Sequence, residues 1–187
     1  MGLINKSSLT EYWNTKNWSQ STPSFSVFTR DRFFMLQSVL HFPEVENDGS
    51  KLRKVQGIVH HFSEQFCRYY SPQKEVSIDE SLIGFEGRAP SIQYMPNKHH
   101  HRFGFKLFCL CESSTGYTVN FSIYEGKKPN NTEYGISHDI CVDLMGPLLG
   151  MGYHLYSDNW YTAVPLEESL LSENTNLTGT VRANRKY

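Results

Sequence analysis

The spacing of apolar residues changes partway along this chain, and the elements follow from where it changes. From residue 29 the apolar positions step by three and four through Phe33, Leu36 and Leu40, with Phe34 and Val39 alongside. Thr29 stands where a helix N-cap belongs. Asp31 lies in the first turn, where the helix dipole favours an acid, and Pro43 ends the pattern. A second helix is predicted by Leu52, Val55, Val59, Phe62, Phe66 and Tyr69, a stripe that reads as core packing, with His60 and His61 off it. After Ser71-Pro72 the period drops to two. In the stretch from Glu75 to Leu82, Val76, Ile78 and Leu82 fall on one face of a strand and Ser77, Asp79 and Ser81 on the other. Strands are predicted again over 103–112 and 117–124, joined as a hairpin by Ser113-Ser114-Thr115-Gly116. A helix over 137–149, with Ile140, Leu144 and Leu148 on one side, ends at Gly150 and Gly152. A strand within 152–161, a helix over 164–173 and a strand over 177–182 complete the pattern. Residues 1–28 show no period and read as an irregular arm that docks through Tyr12, Trp13, Trp18 and Phe25.

This order, three strands followed by helix, strand, helix and strand, fits an α/β fold with a mixed sheet covered by helices. A helical segment over 1–74 precedes the sheet segment over 75–187. In that layout the strand carrying Asp79 and the strand ending in Ser157-Asp158-Asn159-Trp160 lie side by side, so the two aspartates converge at one edge of the sheet. A carboxylate in mid-strand is a poor β former and is costly to bury alone. Either a cation sits against Asp79, or that face of the strand is wet. Two such carboxylates together can hold a divalent ion, and a third acid would allow two ions. Hard Mg²⁺ prefers oxygen ligands, and such ions clamp the attacking and leaving oxygens of a phosphodiester displacement.

Composition narrows the field less than the pattern does. The chain has 187 residues, 39% hydrophobic and 14% aromatic, which fits a folded core and not a disordered chain. The formal net charge of -1 gives no global sign of a nucleic-acid binder, so any such case rests on local clusters. Two exist. Arg88, Lys98, Arg102 and Lys106 lie in a stretch with no Asp or Glu, interleaved with His99, His100 and His101, and Arg182, Arg185 and Lys186 form a second acid-free run. Beside a carboxylate site such runs suit a DNA phosphate track, whereas alone they are ordinary solvated loops. Cys67, Cys109, Cys111 and Cys141 form no C-x-x-C pair, which argues against a zinc knuckle. No secretory signal and no apolar run near the length of a membrane span is present, so a reducing compartment and no membrane association are expected.

The chain resembles the piggyBac transposases and piggyBac-derived proteins of eukaryotes. The resemblance runs in order through Tyr12-Trp13, Thr29-Arg30-Asp31-Arg32-Phe33, Leu40-His41-Phe42, Ser77-Ile78-Asp79-Glu80-Ser81, Tyr94-Met95-Pro96-Asn97-Lys98, Phe103-Gly104-Phe105-Lys106-Leu107 and Thr115-Gly116-Tyr117. It continues through Tyr124-Glu125-Gly126-Lys127, Ser157-Asp158-Asn159-Trp160-Tyr161-Thr162 and 178–186. Each piece is weak alone; their shared order is specific. The resemblance implies an RNase H-like core and a Mg²⁺- or Mn²⁺-dependent DNA transposase that cuts and pastes at TTAA sites. It also implies double-stranded DNA as partner, a homodimer, and a nuclear location. Asp79 matches the family's first catalytic aspartate and Asp158 its second. The family's third aspartate lies well beyond the last strand of this sequence. The expectation is therefore a truncated core, inactive alone, or a non-catalytic DNA-binding module. Asp139, Asp143, Glu167 and Glu168 are the internal acids that could substitute, each read first as a solvated helix residue.

Overall fold

A computed structural model describes residues 6–14, 27–41, 50–96, 102–126 and 133–183. The chain divides into two compact units, residues 1–43 and residues 44–187. The division falls before the second helix, and the 74/75 boundary of the sequence pattern lies inside the second unit.

The first unit holds a 3-10 turn, Leu9–Trp13, and helix α1, Arg30–Val39. The Thr29 hydroxyl accepts a hydrogen bond from Arg32 N at 3.3 Å, the cap expected from the sequence. Of the arm residues singled out in the sequence, Tyr12 is buried and Trp13 packs on helix α1. Its ring packs 5.1 Å from Phe33, and its indole N–H donates to the Phe28 carbonyl at 2.8 Å. Trp18 and Phe25 lie outside the described residues.

The second unit contains helix α2, Gln56–Tyr69, then strands β1, Glu75–Gly84; β2, Ile92–Tyr94; β3, Phe103–Glu112; and β4, Thr118–Ile123. Helix α3, Ile136–Met145, strand β5, His154–Ser157, helix α4, Val164–Ser172, and strand β6, Asn176–Gly179, follow. The six strands form one mixed sheet in the order β2-β3-β1-β5-β6, with β4 also on β3. β1 is central. It pairs antiparallel with β3 along its length and parallel with β5. The hairpin turn between β3 and β4 uses Gly116 at φ +72°, a conformation glycine adopts without strain. The sequence pattern missed β2, whose three residues are too few to show a period.

Alternation gives the sheet two unlike faces. Val76, Ile78, Phe108, Leu110 and Leu155 point inward and pack with Cys141, Leu144 and Met145 of α3 and Leu166 and Leu170 of α4. Leu110, Leu155, Leu166 and Leu170 are at most 1% exposed, and each such burial contributes roughly 1.5–3 kcal/mol. His138 ties the two helices together, its Nε2 2.9 Å from the Ser169 hydroxyl. The outer face carries Ser77, Asp79 and Ser81. Toward the β2 end it also carries exposed Ile83, Phe85, Tyr94 and Phe103.

The α2 stripe is corrected by the structure. Phe62 and Tyr69 are exposed, and no residue of α2 is fully buried. The helix lies on edge strand β4 through a neighbouring face. Phe66 packs on Phe121 at 5.8 Å, the Cys67 thiol donates to the Val119 carbonyl at 3.1 Å, and the Ser63 hydroxyl donates to Asn120 Oδ1. A small polar face suits an edge strand, where polar backbone atoms also need partners.

One buried carboxylate joins these parts. Glu112, 1% exposed at the end of β3, accepts from Gln73 N at 2.6 Å, from the Tyr70 hydroxyl at 2.9 Å and from the Thr115 hydroxyl. It thereby binds the segment between α2 and β1 to the β3–β4 turn. The Gln73 amide, with the Thr115 hydroxyl, holds its pKa below the ordinary value, against the opposing effect of burial. A depressed pKa contributes stability that is present above the unfolded value near 4.5 and lost as pH falls through the folded value. Glu112→Gln is expected to lower the melting temperature at pH 7 and to flatten the fall of melting temperature below about pH 4.5. Thermal melts of both chains from pH 3 to 7 check this.

Candidate active site at the β1–β5 junction

The parallel ladder pairs Glu75 with His154, Val76 with Leu155, Ser77 with Tyr156 and Ile78 with Ser157. One step further come Asp79, on β1, and Asp158, the first residue after β5. The register sets them side by side, on strands that lie roughly 4.8 Å apart. The strands that carry and precede the two aspartates are therefore neighbours, as the sequence suggested, in the middle of the sheet and not at its edge, because β5 is followed outward by β6.

Both aspartates are exposed. Each spends one oxygen on a local backbone amide: Asp79 Oδ1 accepts from Glu80 N at 2.7 Å, and Asp158 Oδ1 accepts from Trp160 N at 2.8 Å. These bonds fix the carboxylates and leave the other oxygen of each without a hydrogen-bond donor among the described residues. The Asp158 turn is closed by Thr162, whose amide and hydroxyl both donate to the Asp158 carbonyl, at 3.1 and 2.7 Å.

Two hard carboxylate oxygens suit Mg²⁺ or Mn²⁺, which fill their remaining positions with water or phosphate oxygens. Among the described residues there is no group of three or more His, Cys, Asp or Glu side chains placed to hold an ion. The thiols near the site do not fit a soft metal. Burial, then the nearby Cys111 and the Asp79 charge, pushes Cys109 up to about 11. Burial and the Asp158 charge push Cys141 up to about 12. Tyr161 fills the space beneath. It is fully buried and its hydroxyl has no partner among the described residues. Burial foremost, then the charges of Glu80, Cys141, Asp79 and Asp158, raises its pKa.

The basic residues divide into four groups. Arg88 and Arg102 are exposed, on the loop between β1 and β2 and just before β3. Arg182 reaches the site itself, its Nε donating to Asn159 Oδ1 at 2.8 Å, one residue from Asp158. Lys98, Arg185 and Lys186 lie outside the described residues. Lys106 differs from its place in the sequence reading as a phosphate contact. It projects from the inner face and pairs with Glu80 at 3.1 Å. Its ammonium lies 4.8 Å from the Phe108 ring centre, 5.4 Å from Trp160 and 5.9 Å from Tyr124. The substitute acids do not gather at Asp79 either. Asp139 caps His138 at 3.1 Å, and Asp143, Glu167 and Glu168 are exposed on their helices.

Sequence reasoning missed Glu80, Tyr161, Thr162 and Gly179. Glu80 alternates with Asp79, so its inward direction was readable, but its partner Lys106 required the β1–β3 register. An isolated glycine in a strand signals close backbone approach, and Gly179 has that signature.

A sheet of this order with paired carboxylates on its central strands is the RNase H-like fold of DDE transposases. The chain belongs to the piggyBac family of these enzymes. The family model described as Transposase IS4 matches residues 1–187. The chain is 29% identical over 177 residues to the human PiggyBac transposable element-derived protein 3, covering 88% of this chain and 30% of that protein. It is 29% identical over 181 residues to the human PiggyBac transposable element-derived protein 2, covering 93% of this chain and again 30% of that one. Among solved structures, the piggyBac transposase synaptic complex with hairpin DNA, determined by cryo-electron microscopy, superposes with a TM-score of 0.77 at 31% identity. That match covers 89% of this chain and 36% of the solved chain. The chain thus spans about a third of the length of these relatives.

Lys106→Met is expected to cost roughly 1–3 kcal/mol of stability by removing the ammonium that pairs with the largely buried Glu80 at 3.1 Å. It should leave the salt dependence of any DNA binding unchanged. Denaturant titration measures the first effect and binding at several salt concentrations the second.

Proposed function

We propose that this chain is the core of a metal-dependent DNA transposase, with Asp79 and Asp158 as its first two metal-binding carboxylates. The observation that carries the reading is their placement, side by side one step beyond the β1–β5 ladder, each pinned by a backbone amide. A bound Mg²⁺ or Mn²⁺ would activate water, and later a 3′-hydroxyl, for attack on a DNA phosphodiester. The chain's own residues present two anionic oxygens in a fixed direction, with Arg182 beside them through Asn159, while Arg88 and Arg102 are exposed further along the sheet, where they suit a phosphate backbone. The partner is double-stranded DNA carrying TTAA, in the nucleus, with two copies of the chain bringing two ends together. That reading draws on family membership and on the related piggyBac transposase, which was solved in a synaptic complex with hairpin DNA.

Two carboxylates are one short of a two-ion site. Among the described residues no third acid joins them, so we assign this pair metal binding and the chain DNA binding, and expect no cutting from the pair alone. The same shortfall favours a second reading, a DNA-binding module in which catalysis plays no part.

Mn²⁺ is expected to bind the purified chain, and Asp79→Asn or Asp158→Asn to weaken it at least tenfold, since even indirect changes around a metal cost about 10–100-fold. Calorimetric or electron-spin titration checks this, and no binding to the wild-type chain would sink the site. Duplex DNA binding is expected to prefer TTAA and to survive Asp79→Asn. Each of Arg88→Ala, Arg102→Ala and Arg182→Ala should reduce the slope of log affinity against log salt by about 0.9. Incubation of supercoiled TTAA DNA with Mn²⁺ and the chain should give no nicks. Nicking that Asp79→Asn abolishes would mean that a third acid comes from within the chain.

A further inference from the structure

The turn that carries Asp158 rests on strand β6 through an arrangement with no room to spare. Gly179 pairs with Ser157 in the β5–β6 register. A Cβ at position 179 would lie 2.0 Å from Thr162 Oγ1, 2.8 Å from the Ser157 carbonyl oxygen and 2.9 Å from Ser157 Oγ. Real Cβ atoms do not approach this closely, so any side chain there displaces the Thr162 hydroxyl. That hydroxyl donates to the Asp158 carbonyl at 2.7 Å and lies 2.8 Å from Ser157 Oγ, and Thr162 is 7% exposed. The amide of the same residue donates to the same carbonyl at 3.1 Å. The Asp158 carbonyl is therefore gripped twice from one residue. Among the described residues, the Asp158 carboxylate is held only by Trp160 N, an amide inside the loop that this grip closes.

We propose that Thr162 and Gly179 are positioning residues for the Asp158 carboxylate. Thr162 fixes the turn by closing it on the Asp158 carbonyl. Gly179 leaves the space on β6 in which the Thr162 hydroxyl sits. Neither touches an ion or DNA; both act through the backbone of Asp158. The consequence for metal binding rests on the proposed role of Asp158, whereas the effect on its geometry does not.

The test uses the full ¹⁵N-labelled chain with Thr162→Val, which keeps the shape and removes the hydroxyl, Gly179→Ala, and Thr162→Ser as the conservative control. The metal-free readout is the Trp160 backbone amide, which reports its bond to the Asp158 carboxylate. Thr162→Val and Gly179→Ala are expected to shift this resonance and to speed its hydrogen exchange about tenfold, the order of one lost hydrogen bond. Thr162→Ser should leave it in place. Mn²⁺ affinity should fall about tenfold in the first two variants and hold in the third. A folded Thr162→Val with the Trp160 amide unmoved, even at a lower melting temperature, means a packing role and overturns the proposal. If Gly179→Ala does not fold, Thr162→Val decides. If the wild-type chain takes up no Mn²⁺, the metal reading of Asp158 fails, and the Trp160 amide still decides the positioning claim.

Discussion

The structure depends on the short parallel ladder between β1 and β5. Parallel neighbours cannot be joined by a tight turn. They need a crossover that returns the chain to the same end of the sheet, and the β3–β4 hairpin with α3 provides it. The register of that ladder is fixed by burial. Val76 and Ile78 on β1 and Leu155 on β5 all enter the inner core, and a slip of one residue would turn them outward. The same register brings Asp79 level with Asp158. Hydrophobic packing on one side of the sheet thus sets the relative position of two charged groups, and no interaction between those groups is needed to hold them there.

The inner face also carries charge, on terms that the outer face does not require. Glu80 alternates with Asp79 and so must enter the protein where Asp79 faces water. It is tolerated because Lys106 lies against it, and the Lys106 ammonium in turn lies near the faces of Phe108, Trp160 and Tyr124. Trp160 stacks parallel to Phe108, and its amide holds the Asp158 carboxylate. The indole thereby links the Lys106 cluster to the Asp158 turn. Glu112 is a second buried acid, satisfied by an amide and two hydroxyls in place of a cation. Both carboxylates join segments distant in sequence, and the candidate site stands on the frame they complete.

Period carried most of the fold. The drop from helical to strand spacing after Ser71-Pro72 located β1. The succession of elements after it was enough to set the first and fourth long strands together, and Asp79 beside Asp158. Period failed where an element was short or its buried face was not its most hydrophobic one. β2 has three residues, and α2 turns Ser63, Phe66 and Cys67 toward β4 while Phe62 stays in water. Charge was the least legible quantity. Lys106 and Arg102 look alike in an acid-free run, yet one side chain points into the sheet's inner layer and the other into solvent. Only the β1–β3 pairing, which sets Phe108 opposite Glu80 and Lys106 beside it, separates them. Gly179 was visible as a glycine in a strand, but the atom it makes room for belongs to a turn some residues earlier in the chain.

Two aspartates held level on adjacent strands repel each other, and among the described residues no cation lies within ion-pair distance of either. The fold bears that repulsion without relieving it, although an Asn at either position would keep the local amide contact and remove the conflict. Lys106 shows that the same sheet can pair an acid where burial requires it. The unpaired acids sit in water, where the cost of repulsion is reduced by screening, and where an incoming cation would find both within reach. Under the proposed metal role, such an ion would bind the folded chain and not the unfolded one, so its binding energy would add directly to the stability of the arrangement. The backbone amides of Glu80 and Trp160 bear on the same point. They take one oxygen from each carboxylate and so limit how far the two can swing apart, which keeps the repulsion in place while no ion is bound. A site that holds its charges together before the ion arrives has already met the cost of organising them, and that is the condition under which two carboxylates can bind an ion that keeps most of its water.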